Sequence, residues 1–148
     1  EARYYFQLNA ALAPLADHRK PSTAVGLLAR TIEQRLAETI ERLFRLLGLR
    51  YPPVEIYSAY LAYRGQRGEE LSTALEFLDN TLDKDLKRIV LPMLDEPQHL
   101  QEMGRRLFGV EPYRTDTAIR ELIGSRDPWL EACGTAAAKE LQGSEVHV

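Results

Sequence analysis

The chain reads as an all-α fold, a right-handed α-solenoid of seven to eight helices arranged as antiparallel pairs. Three observations predict it. Apolar residues recur at helical spacing along the chain, and no segment shows the strict alternation of a half-buried strand. The connections between these segments are short, as between neighbouring helices. One pattern is written twice. Ala74-Leu75-Glu76-Phe77-Leu78 leads to Asp83 and Leu86, and Ala118-Ile119-Arg120-Glu121-Leu122 leads to Asp127 and Leu130, each position displaced by 44. A period in the forties with two helices per unit is the signature of a helical repeat, whose units bury their apolar faces only against one another.

The elements follow in order. Residues 1–17 carry apolar side chains at 4, 5, 8, 11, 12 and 15, with Pro14 set to kink or end the helix. His18-Arg19-Lys20-Pro21 reads as a loop. Ser22 or Thr23 then caps a long helix whose stripe runs Val25, Leu28, Ile32, Leu36, Ile40, Leu43 or Phe44, and Leu47, with Gly48 as its stop. Glu38/Arg42 and Glu41/Arg45 are spaced for i,i+4 pairs on its outer face. Tyr51-Pro52-Pro53 breaks the chain, and a short helix follows from Val54 to Tyr63. Gly65-Gln66-Arg67-Gly68 is a turn. Glu69 to Leu82 is the next helix. Asp83 caps another, which runs to Leu94 with Pro92 near its end. Pro97 starts the next, ending near Phe108-Gly109. Thr115 or Asp116 begins one that ends at Gly124, and Asp127-Pro128-Trp129 opens the last. The final residues, Gly143 to Val148, read as a flexible tail.

Composition narrows the function. At 148 residues the chain is one ordinary domain, with 45% hydrophobic and 28% charged residues. A net charge of −3 gives no general attraction to nucleic acid or anionic lipid. One cysteine, Cys133, excludes an internal disulfide framework and favours a reducing compartment. No apolar run approaches the ~20 residues of a membrane helix. The opening Glu-Ala-Arg-Tyr-Tyr lies within a helical pattern, so residues 1–148 read as a single domain excised from a longer protein.

Residues that carry chemistry elsewhere have structural readings here. His18, His99 and His147 lie in separate segments without metal-ligand spacing and read as surface histidines. Cys133 has no basic neighbour and reads as a small buried side chain. Asp79, Asp83 and Asp85 form the tightest acidic group, and capping and turn formation account for it better than acid–base chemistry does. Arg30, Arg35, Arg42, Arg45 and Arg50 are interleaved with Glu33, Glu38 and Glu41, the pattern of a salt-bridged face. The alternative is an anion or nucleotide site between that face and Arg105/Arg106, because guanidinium forks match phosphate. Trp129 reads as core packing at a helix junction. Tyr57, Tyr60 and Tyr63 recur every three residues. They form either an interaction face, since tyrosine is enriched at interfaces, or a half-buried face against the long helix.

The stretch from Ala74 through Asp83 to Asp95, the stretch Asp127 to Cys133, and Arg42-Leu43-Phe44-Arg45-Leu46-Leu47-Gly48-Leu49 carry a family resemblance. They resemble HEAT-repeat text, in particular the soluble HEAT-like region of some bacterial major-facilitator or ADP/ATP-carrier-like proteins. The resemblance covers residues 22–141. The long helix 22–48 and the lone helix between the two recognisable units depart from plain HEAT text. The resemblance implies a non-enzymatic scaffold without cofactors or catalytic residues. Its partner is another domain of its own chain or another protein. Its setting is cytoplasmic, tethered to the inner membrane by the parent protein. The surface expected to act comprises Tyr57, Tyr60, Tyr63 and Arg64, with Arg105 and Arg106 as a second patch.

Overall fold

The computed structural model describes residues 1–16 and 23–146. Among them are eight helices and no strand. They are α1 Ala2–Leu15, α2 Ala24–Leu47, α3 Pro53–Gly65, α4 Gly68–Thr81, α5 Lys84–Met93, α6 Pro97–Phe108, α7 Thr115–Ile123 and α8 Pro128–Val146. His18, Ser22 and His147 lie outside the described residues.

Local chemistry explains several boundaries. The Thr23 hydroxyl accepts a hydrogen bond from the Gly26 amide at 3.0 Å, satisfying one of the free donors at the start of α2. Pro14 falls in the last turn of α1, where it removes one backbone donor, and the helix ends immediately after it. Gly109 closes α6 with φ +66°, a conformation that glycine adopts without strain. In the turn after α3 the positive φ belongs to Gln66 and to neither flanking glycine. Its amide Nε2 donates to the Tyr63 carbonyl at 2.6 Å. The last helix continues past Gly143 to Val146.

Packing joins these helices into two apolar clusters on a shared frame. Tyr5, Phe6 and Ala10 of α1, with Ile40, Phe44 and Leu47 of α2, belong to the first cluster. Leu8, Ala11 and Leu15 of α1, with Val25, Leu28 and Ile32 of α2, belong to the second. α2 spans both because its 24 residues extend about 36 Å. The written repeat divides between them. Ala74, Leu78 and Leu82 of the α4–α5 unit lie in the first cluster, and Ala118, Leu122 and Leu130 of the α7–α8 unit in the second.

Consecutive helices pack together as α3 on α4, α4 on α5, α5 on α6 and α7 on α8. Other contacts reach across the sequence. α1 packs against α5, α6 and α7 as well as α2, and α2 packs against α8. In a strictly linear stack each unit touches only its neighbours. Here α1 is a central post that carries both units.

α6 approaches that post closely. A Cβ on Gly104 would lie 3.2 Å from Phe6, which is itself fully buried. Gly104→Val is expected to destabilise the fold by about 2 kcal/mol or more through overpacking, measured by chemical denaturation. Gly124→Val, at an exposed position, is the comparison.

Two sequence expectations are corrected by packing. Trp129 is 51% exposed, because the cap at Asp127 directs the first turn of α8 so that Leu130, fully buried, faces inward instead. Glu38 and Arg42 do not pair. Glu38 turns to Arg35 at 3.1 Å, and Arg42 reaches Glu1 at 3.1 Å. Glu41 and Arg45 do pair.

Candidate functional site

The expected surface residues divide between three environments. Tyr60 and Tyr63 are half-buried against α2, with ring centroids 5.3 and 6.2 Å from that of Phe44. Tyr57 is 60% exposed. Helix geometry explains the split. A spacing of three residues falls short of a full turn by roughly 60°, so the tyrosine stripe winds from the outside of α3 to its underside. Arg64 is exposed at the end of α3, beside a cavity of about 290 Å³ lined also by Leu36, Ile40, Tyr60 and Tyr63. Arg105 and Arg106 lie in the last turn of α6, where cations suit the helix dipole. α3 and α6 do not pack together.

Burial sets the electrostatics of the inner tyrosines. It pushes the Tyr63 phenol above its usual range. Burial does the same to Tyr5, and Tyr63 adds to that shift. Loss of a proton is thus disfavoured in the folded state. The Tyr5 contribution is whole below the ordinary tyrosine value of 10.0 and is lost as pH rises from there towards the raised value. Stability is expected to fall above pH ~10 and to fall less steeply in Tyr5→Phe, measured by denaturant titration on either side of that pH.

The basic and acidic series are largely spent on each other. Of Arg42, Arg45, Arg105 and Arg106, which an anionic ligand between the two basic faces would need together, Arg42 meets Glu1 and Arg45 meets Glu41. Asp79 lies 3.5 Å from Lys87. Asp83 pairs with Arg50 and makes no side-chain bond to its own helix, so it occupies the cap position without capping. Its amide donates to the Tyr51 hydroxyl at 3.0 Å instead. Cys133 is buried, 3.9 Å from the Thr31 hydroxyl. His99 is exposed beside Asp95 at 3.3 Å.

The sequence reading missed the face that α3 turns outward. Val54, Tyr57 and Leu61 stand at i, i+3 and i+7, within one narrow arc, and are 76%, 60% and 46% exposed. Leu46 and Leu49, just before α3, are also exposed. The opposite side of α3 buries Ile56 and Ala59. A short helix with apolar residues on two opposed faces was the available signal, since only one of them can be covered by α2 and α4.

No known protein family, curated protein or solved structure matches the chain.

Proposed function

We infer that the chain is a non-catalytic helical scaffold that docks another protein on the outer face of α3. The observation that carries this is the clustering of exposed apolar side chains. Leu46, Leu49, Val54, Tyr57 and Leu61 fall in one short stretch, and three of them share a helix face. Single exposed apolar residues are ordinary, whereas a grouped set signals an interaction site. Tyrosine at its centre suits such a site, being large, rigid and polar at one end. Tyr60 and Tyr63 hold the underside against Phe44 of α2, and Arg64 stands exposed at the helix end.

The HEAT-like solenoid and the transporter setting are part of the same proposal. The solenoid rests on the repeat text and on the consecutive packing of α3 through α6, and the transporter setting on the text resemblance alone. In that setting the domain is a cytosolic accessory region of a transporter-like membrane protein. No helix among the described residues is long and apolar enough to cross a membrane. The α3 face then meets another module of the parent chain or a separate subunit.

The test is site-specific photo-crosslinking in the full-length protein in its own cells. A photoreactive residue replaces Tyr57 or Leu61, with exposed Thr135 of α8 as the comparison. Strong crosslinks from α3 to one defined protein segment are expected. Equal yields from α8, or none from α3, overturn the reading.

A further inference from the structure

Between α3 and α4 lies an open groove of about 550 Å³. Val54, Ala59 and Ala62 from α3 and Ala74 and Phe77 from α4 make it apolar. Glu55, Glu69 and Glu70 also line it, all three exposed, and no Lys, Arg or His does. These carboxylates occupy the first turns of α3 and α4, where the helix dipole favours them. That explains their placement but leaves their charge uncompensated towards the groove. Arg67, the cation nearest Glu70, is 3.9 Å from it with both side chains mostly in solvent. An exposed pair at that distance holds little. Val54 belongs both to this groove and to the outer stripe with Tyr57 and Leu61, so the two apolar surfaces are continuous.

Charge decides between occupants. A second copy docking by the same face would bring glutamates against glutamates. An anionic membrane surface would be repelled in the same way. From Val54 to Ala62 the lining runs about 12 Å along α3, roughly two helical turns. We propose that this groove takes a basic amphipathic helix of a partner protein. Its apolar side chains, at i, i+3 or i+4 and i+7, seat between α3 and α4, and flanking Lys or Arg face Glu55, Glu69 and Glu70. The proposal rests on the reading of this end of the molecule as the docking end, and adds the chemistry of what docks.

Three synthetic helices test it by fluorescence anisotropy with the whole chain. The first has leucine on one face and lysine and arginine beside it. The second replaces the basic residues by glutamate, and the third replaces leucine by serine. The first is expected to bind at least tenfold more tightly than either of the others. Its amide shift changes should fall on Ala59, Ala74 and Phe77. The variant E55Q/E69Q/E70Q, verified as folded by circular dichroism, should weaken it by roughly tenfold, as the loss of three exposed ion pairs would. Equal binding of the acidic helix, no binding of the basic one, an unaffected triple variant, or shifts elsewhere on the surface overturn the proposal. The crosslinks from Tyr57 and Leu61 read docking without reference to charge. Crosslinks to an acidic or neutral segment keep the docking role and sink this inference. Capture of the basic helix with no crosslinks from α3 does the reverse.

Discussion

Phe6→Ala is expected to cost about 4 kcal/mol, the usual range for a large aromatic removed from a core. Phe6 is 1% exposed at the centre of the first cluster. Its ring centroid lies 5.6 Å from that of Tyr5 and 5.8 Å from that of Phe108, and α6 comes so close at Gly104 that a Cβ there would lie 3.2 Å from Phe6. Neighbours on three sides cannot all move in to fill the space, so a cavity term adds to the lost transfer energy. For a chain of this size the melting temperature should drop by about 8–16 °C. Trp129→Ala removes a larger ring from an exposed site and is expected to change stability by less than ~1 kcal/mol. Paired calorimetry of the two variants checks both numbers. Similar losses at both positions would mean that Trp129 anchors a core as much as Phe6 does, against the burial contrast between them.

The contrast between those aromatics shows what periodicity reveals and what it hides. The α2 stripe was legible because Val25, Leu28, Ile32, Ile40 and Leu47 recur at helical spacing, and all are buried. Helix ends were legible where a side chain or a glycine creates them, as at Thr23, Gly109 and Asp127. Long-range pairing was not. α1 looks like an ordinary amphipathic first helix, yet it packs on four others. Local spacing carries no record of neighbours a hundred residues away. The same blindness affected α3. Its tyrosines announce themselves in the text, but which of them faces solvent depends on where Phe44 stands. The exposed outer face of α3 was therefore partly named, through Tyr57, while Val54 and Leu61 passed as routine helix formers.

The repeated aspartate separates text from environment most sharply, and Asp127→Ala is the second large effect. Asp83 and Asp127 occupy equivalent positions in the two written units, and each meets an arginine of the long-helix segment. Their surroundings differ. Asp83 and Arg50 are largely in solvent, and such a pair holds little. Asp127 is mostly screened from solvent, accepts from Arg35 Nε at 2.6 Å, and accepts the Trp129 and Leu130 amides at 3.0 and 3.2 Å. It therefore caps α8 and ties that helix to α2 at once. Its loss removes a cap worth about 1 kcal/mol and a charge-assisted bond worth about 2. Arg35 retains Glu38, so no buried cation is orphaned. We expect Asp127→Ala to cost about 2–3 kcal/mol and Asp83→Ala less than 1. The pH dependence has a definite sign. The hydrogen bond from Arg35, followed by those from the two amides, holds the Asp127 carboxyl below its usual 3.8. Its contribution is whole above that value and is lost as pH falls through the lowered one. Denaturation midpoints of the parent and Asp127→Ala should therefore converge as pH drops below about 4, whereas those of the parent and Asp83→Ala should already lie close together at neutral pH. A gap between the parent and Asp127→Ala that persists at low pH would assign the loss to the cap and to helix packing, because a protonated carboxyl no longer holds the arginine as an ion but still accepts the amides.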